Sequence, residues 1–327
     1  MKFKKLIIMT LALLLVFVFG LSMTGCSDIN RIDEDKPTVV CTGFAQYDWV
    51  LNILGDEATD WNIIRINDKG ADMHSYQPSA EDMIIISEAD LLIYTGGMSE
   101  EWIEDAMESQ NFQGMAYALL ENGEPICLEE ENGHEGHDHD SEGHDEEGHG
   151  HEGHSHDEYD EHIWLSLENA KEFCQDISTL LDSINPSKTY ESNCQSYIKK
   201  LDELEKQFED LIGTAIFADR FPFRYLAADY GLEWYAAFPG CSAETEASFD
   251  TLKDLSNVVR ETETTVVFVT ETGDDSLAKT VIENSGNNDI EVIRVNSMQS
   301  IPKGEDRGYI EVMEDNLEAL KKGLEER

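Results

Sequence analysis

From Pro37 onward, short apolar runs rich in β-branched residues alternate with stretches of helical periodicity. Residues 39–42, 61–66, 91–94, 126–128, 215–217, 265–269 and 291–295 predict strands; residues 79–87, 99–107 and 252–260 predict helices between them. Such alternation implies an α/β fold with parallel sheets and excludes an all-β or all-helical one. One segment departs from the rhythm. Asn185-Pro186 reads as a helix start, with an Asn cap and Pro in the first turn. Tyr190, Cys194, Tyr197, Leu201, Leu204, Phe208 and Leu211 then recur at spacings of four and three, uninterrupted by Gly or Pro until Gly213. That pattern predicts one amphipathic helix of roughly 25 residues, near 40 Å long, which is more than a βα crossover needs. With α/β alternation on both sides, residues 185–212 read as a rigid linker between an N-terminal lobe (37–184) and a C-terminal lobe (213–327).

The N-terminus adds a compartment. Lys2, Lys4 and Lys5 precede an apolar run, residues 6–19, that is short for a membrane span and patterned as a secretory signal. It ends in Leu21-Ser22-Met23-Thr24-Gly25-Cys26, which resembles a bacterial lipoprotein signal; Cys26 is then the lipidated residue and 27–36 a polar tether. Five further cysteines, Cys41, Cys127, Cys174, Cys194 and Cys241, show no CxxC spacing. Two readings stand for them: a Cys41–Cys241 disulfide between loops, or buried unpaired thiols.

Composition sharpens the chemistry. With 69 acidic against 23 basic residues the formal charge is −46, which repels phosphate backbones and excludes a nucleic-acid partner. The acid is concentrated: residues 129–161 hold 15 Asp or Glu, eight His and no Lys or Arg. This insertion has no apolar periodicity and cannot build a core. Its imidazoles beside carboxylates suit zinc, nickel or copper, and its flexibility suits a low-affinity collector of ions.

The two remaining histidines stand apart. His74 lies in Gly70-Ala71-Asp72-Met73-His74-Ser75-Tyr76-Gln77-Pro78-Ser79 and His162 in Asp160-Glu161-His162-Ile163-Trp164-Leu165-Ser166, each at a turn before a helix. Together with the Ala89–Trp102 stretch, the His-rich loop between the two motifs and the closing Met313-Glu314-Asp315-Asn316-Leu317, they resemble the extracellular substrate-binding proteins of zinc and manganese ABC transporters. The resemblance implies two Rossmann-like α/β lobes bridged by a rigid helix, with the metal held in the cleft. It implies that His74 and His162 are ligands and that the second lobe adds a His or Glu and an acid.

The sequence departs from that pattern in the second lobe. Ala218 stands where a third ligand is expected, and Asn296 near the fourth. Glu271, at a strand end, is the first substitute, Glu244 the second and Asp219, with Arg220 or Arg224 as an alternative partner, the third. The expected function is high-affinity binding of Zn2+, or Mn2+, by a monomeric, extracytoplasmic, lipid-anchored protein that delivers its cargo to an ABC permease and its ATPase. A membrane-anchored metal buffer or adhesin uncoupled from transport is the alternative. A metalloenzyme is disfavoured: no HExxH motif is present, and the His-x-His units lie in Gly-rich flexible sequence.

Overall fold

The computed structural model describes residues 32–126, 159–240, 247–287, 289–305 and 307–326. Cys26, the first half of the tether (27–31), the bulk of the His-rich insertion, Cys127, Cys241 and Glu244 lie outside the described residues.

The N-terminal lobe runs β1 (Thr38–Cys41), α1 (Phe44–Leu54), β2 (Asn62–Arg65), α2 (Ala80–Ser87), β3 (Leu91–Tyr94), α3 (Trp102–Ser109), β4 (Met115–Ala118) and the single turn α4 (Leu119–Asn122). Its four strands are parallel in the order β2-β1-β3-β4, with Val39 beside both Ile63 and Leu91. Every residue of β1 and β3 is buried, as expected for central strands covered by helices on both faces. Two long helices follow, α5 (Leu167–Ile184) and α6 (Thr189–Phe208).

The C-terminal lobe contains β5 (Leu211–Ile212), β6 (Thr214–Phe221), α7 (Arg224–Tyr230), β7 (Glu233–Pro239), α8 (Phe249–Glu261), β8 (Val266–Thr270), α9 (Asp275–Ser285), β9 (Glu291–Val295), α10 (Tyr309–Leu320) and β10 (Glu325–Glu326). Strands β7-β6-β8-β9 form a second parallel sheet, while β10 returns antiparallel to β5 at the end of α6. The fold is therefore two parallel-sheet lobes joined through α6, as the alternation predicts.

Some expectations change in detail. Asn185 caps the C-terminus of α5, and Pro186 follows because it cannot continue that helix. α6 begins only at Thr189 and has 20 residues, about 30 Å rather than 40 Å. Its buried stripe is the predicted one up to Phe208; Leu211 belongs to β5. Two edge strands, β4 and β7, escape the sequence pattern because Met115-Ala116-Tyr117-Ala118 and Glu233-Trp234-Tyr235 carry few β-branched residues and are partly exposed. Ile126 lies in no strand. Cys41 ends β1 rather than occupying a loop, and its thiol is free and fully buried, so the pairing with Cys241 is not formed. Cys174 and Cys194 are likewise free and buried. Among the described residues no helix is long and apolar enough to cross a membrane.

One continuous core reaches from the N-terminal sheet through α1, α5 and α6 to α10 and the inner face of the C-terminal sheet. The Trp49 ring packs on Phe173 of α5 and edge-on against Tyr309 of α10, with centroids 5.8 and 5.4 Å away. Asp48 accepts from the Tyr197 hydroxyl of α6 and the Tyr309 amide, both at 3.1 Å. Asp48 thus ties α6 and the C-terminal lobe's α10 to α1. Truncating the fully buried Leu201 to Ala is expected to lower stability by about 2–5 kcal/mol. Urea unfolding should read this loss in a single transition, because the core is shared.

Candidate metal site

The sheets deliver their C-terminal ends to one cleft, where loops in open α/β folds gather ligands. His74 lies in the loop after β2, in a single 3₁₀ turn, Met73–Ser75. Asn67 closes the start of that loop by accepting from the Ala71 amide at 3.1 Å and donating to its carbonyl. Gly70 has φ +73°, and a Cβ there would lie 2.9 Å from the Ser300 carbonyl, so the close approach to the C-terminal lobe requires glycine. Asp72 Oδ1 accepts from the His74 amide at 3.0 Å. Beyond the histidine, the Tyr76 hydroxyl donates to Asp82, which also forms a reciprocal capping box with Ser79 at the start of α2. His74 is therefore pinned from both sides.

His162 is held by the same device. Asp160 Oδ1 accepts from its backbone amide at 2.9 Å and from its ring Nδ1 at 2.8 Å. The Tyr225 hydroxyl donates to the Asp160 carbonyl at 2.7 Å, fixing this segment against the C-terminal lobe. The imidazole is fully buried, and Gly240 at the end of β7 packs against it: a Cβ there would sit 3.1 Å from Cε1.

The two rings meet. Their Nε2 atoms stand 3.2 Å apart and their centroids 5.1 Å. His74 Nδ1 lies 2.7 Å from Ser99 Oγ and 3.1 Å from Glu161 Oε2. Glu161 in turn accepts from the Ser99 amide at 2.8 Å, beside Gly97, whose φ of +80° and missing Cβ make room for the carboxylate. Burial pushes the Glu161 carboxyl up, but the bonds from His74 and Ser99 outweigh it and hold the group below the usual carboxylate range. A carboxylate oxygen thus stands beside each Nδ1 and orients its ring, leaving the two Nε2 atoms turned toward one another. Two nitrogens bound to one tetrahedral zinc at 2.0–2.1 Å would be about 3.3 Å apart, close to the observed separation.

A third acceptor joins them from the C-terminal lobe: Gln299 Oε1, 3.1 Å from His162 Nε2. Around this point the lobes are stitched together. Arg220 donates to Asp72 Oδ2 at 2.6 Å, the Lys303 amide donates to the Asp68 carbonyl at 2.6 Å, and Trp164 Nε1 donates to the Ser297 carbonyl at 2.9 Å. Burial pushes the Asp72 carboxyl up, but Arg220 beside it prevails and holds it low.

The second-lobe acids are placed differently. Glu271 follows β8 directly, as expected, but both its oxygens are engaged: Oε2 by the Ser297 amide at 2.9 Å and Oε1 by the Ser297 hydroxyl at 2.8 Å. Burial pushes its carboxyl up, against the pull of those bonds and with the Asp72 charge adding to the rise. Asp219 accepts from the Thr270 amide and hydroxyl, tying β6 to β8; the expected Asp219–Arg220 pairing gives way to Arg220–Asp72. Ala218 is buried in the core behind β6. Asn296 Oδ1 accepts from the Met298 amide and stays within its own loop. Among the described residues no group of three or more His, Cys, Asp or Glu side chains is arranged to hold a metal, so Glu271 is not brought together with the two histidines.

Asp160, Glu161, Ser99 and Gln299 do not stand out as site residues in the sequence. Asp160 and Glu161 count there with the insertion, yet both are buried and orient the histidines. The one signal for the first is the repeated Asp-x-His spacing of Asp72/His74 and Asp160/His162, in which each Asp accepts from the amide two residues on.

Residues 39–323 match the profile of ZnuA, described as the zinc-uptake complex component A, periplasmic. The chain belongs to this family. The Streptococcus pneumoniae (strain ATCC BAA-255 / R6) zinc-binding lipoprotein AdcA is 29% identical over 327 residues, covering 95% of this chain and 60% of that protein. The chain thus spans about three fifths of the AdcA relatives it matches. The high-affinity zinc uptake system protein ZnuA of Bacillus subtilis (strain 168) is 29% identical over 332 residues, 99% of this chain and 98% of that one. The crystal structure of the Zn(II)-bound ZnuA-like domain of Streptococcus pneumoniae AdcA superposes with a TM-score of 0.66 at 25% identity, covering 88% of this chain and 98% of that one. A Mn-bound periplasmic metal-binding protein from candidatus Liberibacter asiaticus shares the fold, with a TM-score of 0.67 at 22% identity over 87% and 98% of the two chains.

This member of the ZnuA family carries a further buried carboxyl behind the site. Glu100 Oε2 accepts from the Thr95 amide at 2.7 Å and the Gly96 amide at 3.0 Å. Burial pushes it up to about 7 despite those bonds, and the Glu161 charge adds to the rise. The fold therefore favours the protonated form, a contribution fully present below about pH 4.5 and lost as pH rises through about 7. Glu100→Gln is expected to remove about 3 kcal/mol of pH-dependent loss over that window, at 1.36 kcal/mol per pKa unit. Thermal melts of the metal-free protein at pH 5 and pH 8 would show it: the variant should gain at pH 8 and not at pH 5.

Proposed function

We propose that this protein is the extracytoplasmic, lipid-anchored zinc-binding component of an ABC uptake system, a monomer that hands its ion to a membrane permease driven by an ATPase. The observation that carries the reading is the pair of imidazole Nε2 atoms, 3.2 Å apart in a buried cleft, each ring with a carboxylate oxygen beside its Nδ1. Such a pair attracts a cation and has the spacing that zinc requires. Two imidazoles favour zinc over manganese, which prefers oxygen.

Glu271 and Glu244 are proposed as carboxylates that complete the set from the second lobe. Glu271 stands at the mouth of β8 and would have to leave Ser297. Glu244 lies four residues beyond Gly240, which packs on His162. The insertion gathers ions into the cleft, with the strongly negative surface raising their local concentration. A transport role is favoured over catalysis because the histidine pair lies at the junction of two lobes, where release requires only that the lobes part.

Zinc titration against a chelating dye tests this reading. A chain lacking residues 129–158 should retain one tight site, whereas His74→Ala in the full chain should lose it. Loss of tight binding on removal of the insertion alone would place the site there instead. Acidification should weaken binding, since protons compete with the metal for the same imidazole nitrogens.

A further inference from the structure

We infer that Gln299 is a further metal donor from the C-terminal lobe, a neutral amide oxygen already beside the histidines; this rests on the two-histidine reading above. The loop after β9 is shaped to present it. Asn316 of α10 holds Asn296 by both backbone groups, accepting from its amide at 2.7 Å and donating to its carbonyl at 2.8 Å. Asn296 Oδ1 then accepts from the Met298 amide at 2.8 Å. Met298 has φ +63°, a left-handed conformation that costs a non-glycine residue energy and is kept where the surroundings impose it. Ser297 is fully committed: its amide and hydroxyl donate to Glu271, and its carbonyl accepts from Trp164. Gln299, only 5% exposed, is the next side chain, and its Oε1 lies 3.1 Å from the nitrogen that faces His74.

Gln299 Oε1 and His74 Nε2 both approach the same nitrogen, His162 Nε2, at 3.1 and 3.2 Å. A cation seated among the three would meet a donor atom from each. A ligand–ligand edge of about 3.3 Å at tetrahedral zinc fits both distances. Because Gln299 belongs to one lobe and the histidines to the other, the ion ties the lobes together.

The test uses the full chain, Zn2+ by chelator competition and Co2+ as a spectroscopic probe, in wild type, Gln299→Ala, Gln299→Glu and His74→Ala. Gln299→Ala should weaken zinc binding by at least about 10–100-fold, the cost of removing a partner that supports a metal ligand, and should change the Co2+ ligand-field spectrum. Gln299→Glu, isosteric with the native side chain, should keep tight zinc binding and raise Mn2+ affinity relative to zinc; it remains readable if the alanine variant melts early. If Gln299→Ala binds zinc and Co2+ as wild type does while His74→Ala loses both, Gln299 is no ligand and the two-histidine reading stands. If His74→Ala binds as tightly as wild type, that reading falls and the role of Gln299 falls with it.

Discussion

Two imidazole nitrogens, one from each Asp-x-His motif, face one another across 3.2 Å. The rest of the site exists to keep them so. Asp160 and Glu161 are adjacent in sequence and serve different rings: the first holds Nδ1 of His162, the second approaches Nδ1 of His74. Each carboxylate orients its ring, and burial strengthens the effect by removing competing water.

Maintaining that contact needs a stiff frame, because a shift of one ångström would let the rings turn away. The frame comes from strand ends and from the shared core. β1, β3, β6 and β8 are buried parallel strands whose ends cannot wander, and α6 is packed against both lobes. Asp48 and Tyr309 join the lobes at depth, whereas Arg220–Asp72 and the Lys303–Asp68 contact join them near the surface, beside the His74 loop. The deep contacts are insulated from solvent. The surface ones are the parts most easily exchanged for water when the lobes part.

Much of this was legible in the sequence, and the reasons differ by element. The α6 stripe could be read because a helix packed on one face must repeat its apolar residues every three or four positions. The buried strands could be read because central parallel strands are apolar on both faces. The edge strands β4 and β7 could not, since Met115-Ala116-Tyr117-Ala118 and Glu233-Trp234-Tyr235 carry no β-branched residue, whereas β2 and β9, also at sheet edges, do. Asn185 misled because the same residue pattern that starts a helix also ends one, and only the chain's direction of packing decides which. Cys41 misled in the same way: its place in a central strand, not its neighbours in sequence, leaves its thiol buried and free.

The local frame of His74 and His162 was legible in the two Asp-x-His motifs, because an aspartate two residues ahead of a histidine can cap its amide whatever the fold; their reading as ligands came from the resemblance. The charge pattern likewise set a strongly negative surface that attracts cations and repels phosphate backbones. What only the tertiary structure decided is which groups stand opposite. Glu161 reaches His74 from 87 residues away, Asp72 is taken by Arg220 of the other lobe, and Glu271 is turned onto Ser297. Gln299 alone of its loop is left facing the site. Hydrogen-bond partners across a cleft are set by where two sheets end in space, and no local spacing in the chain encodes that distance.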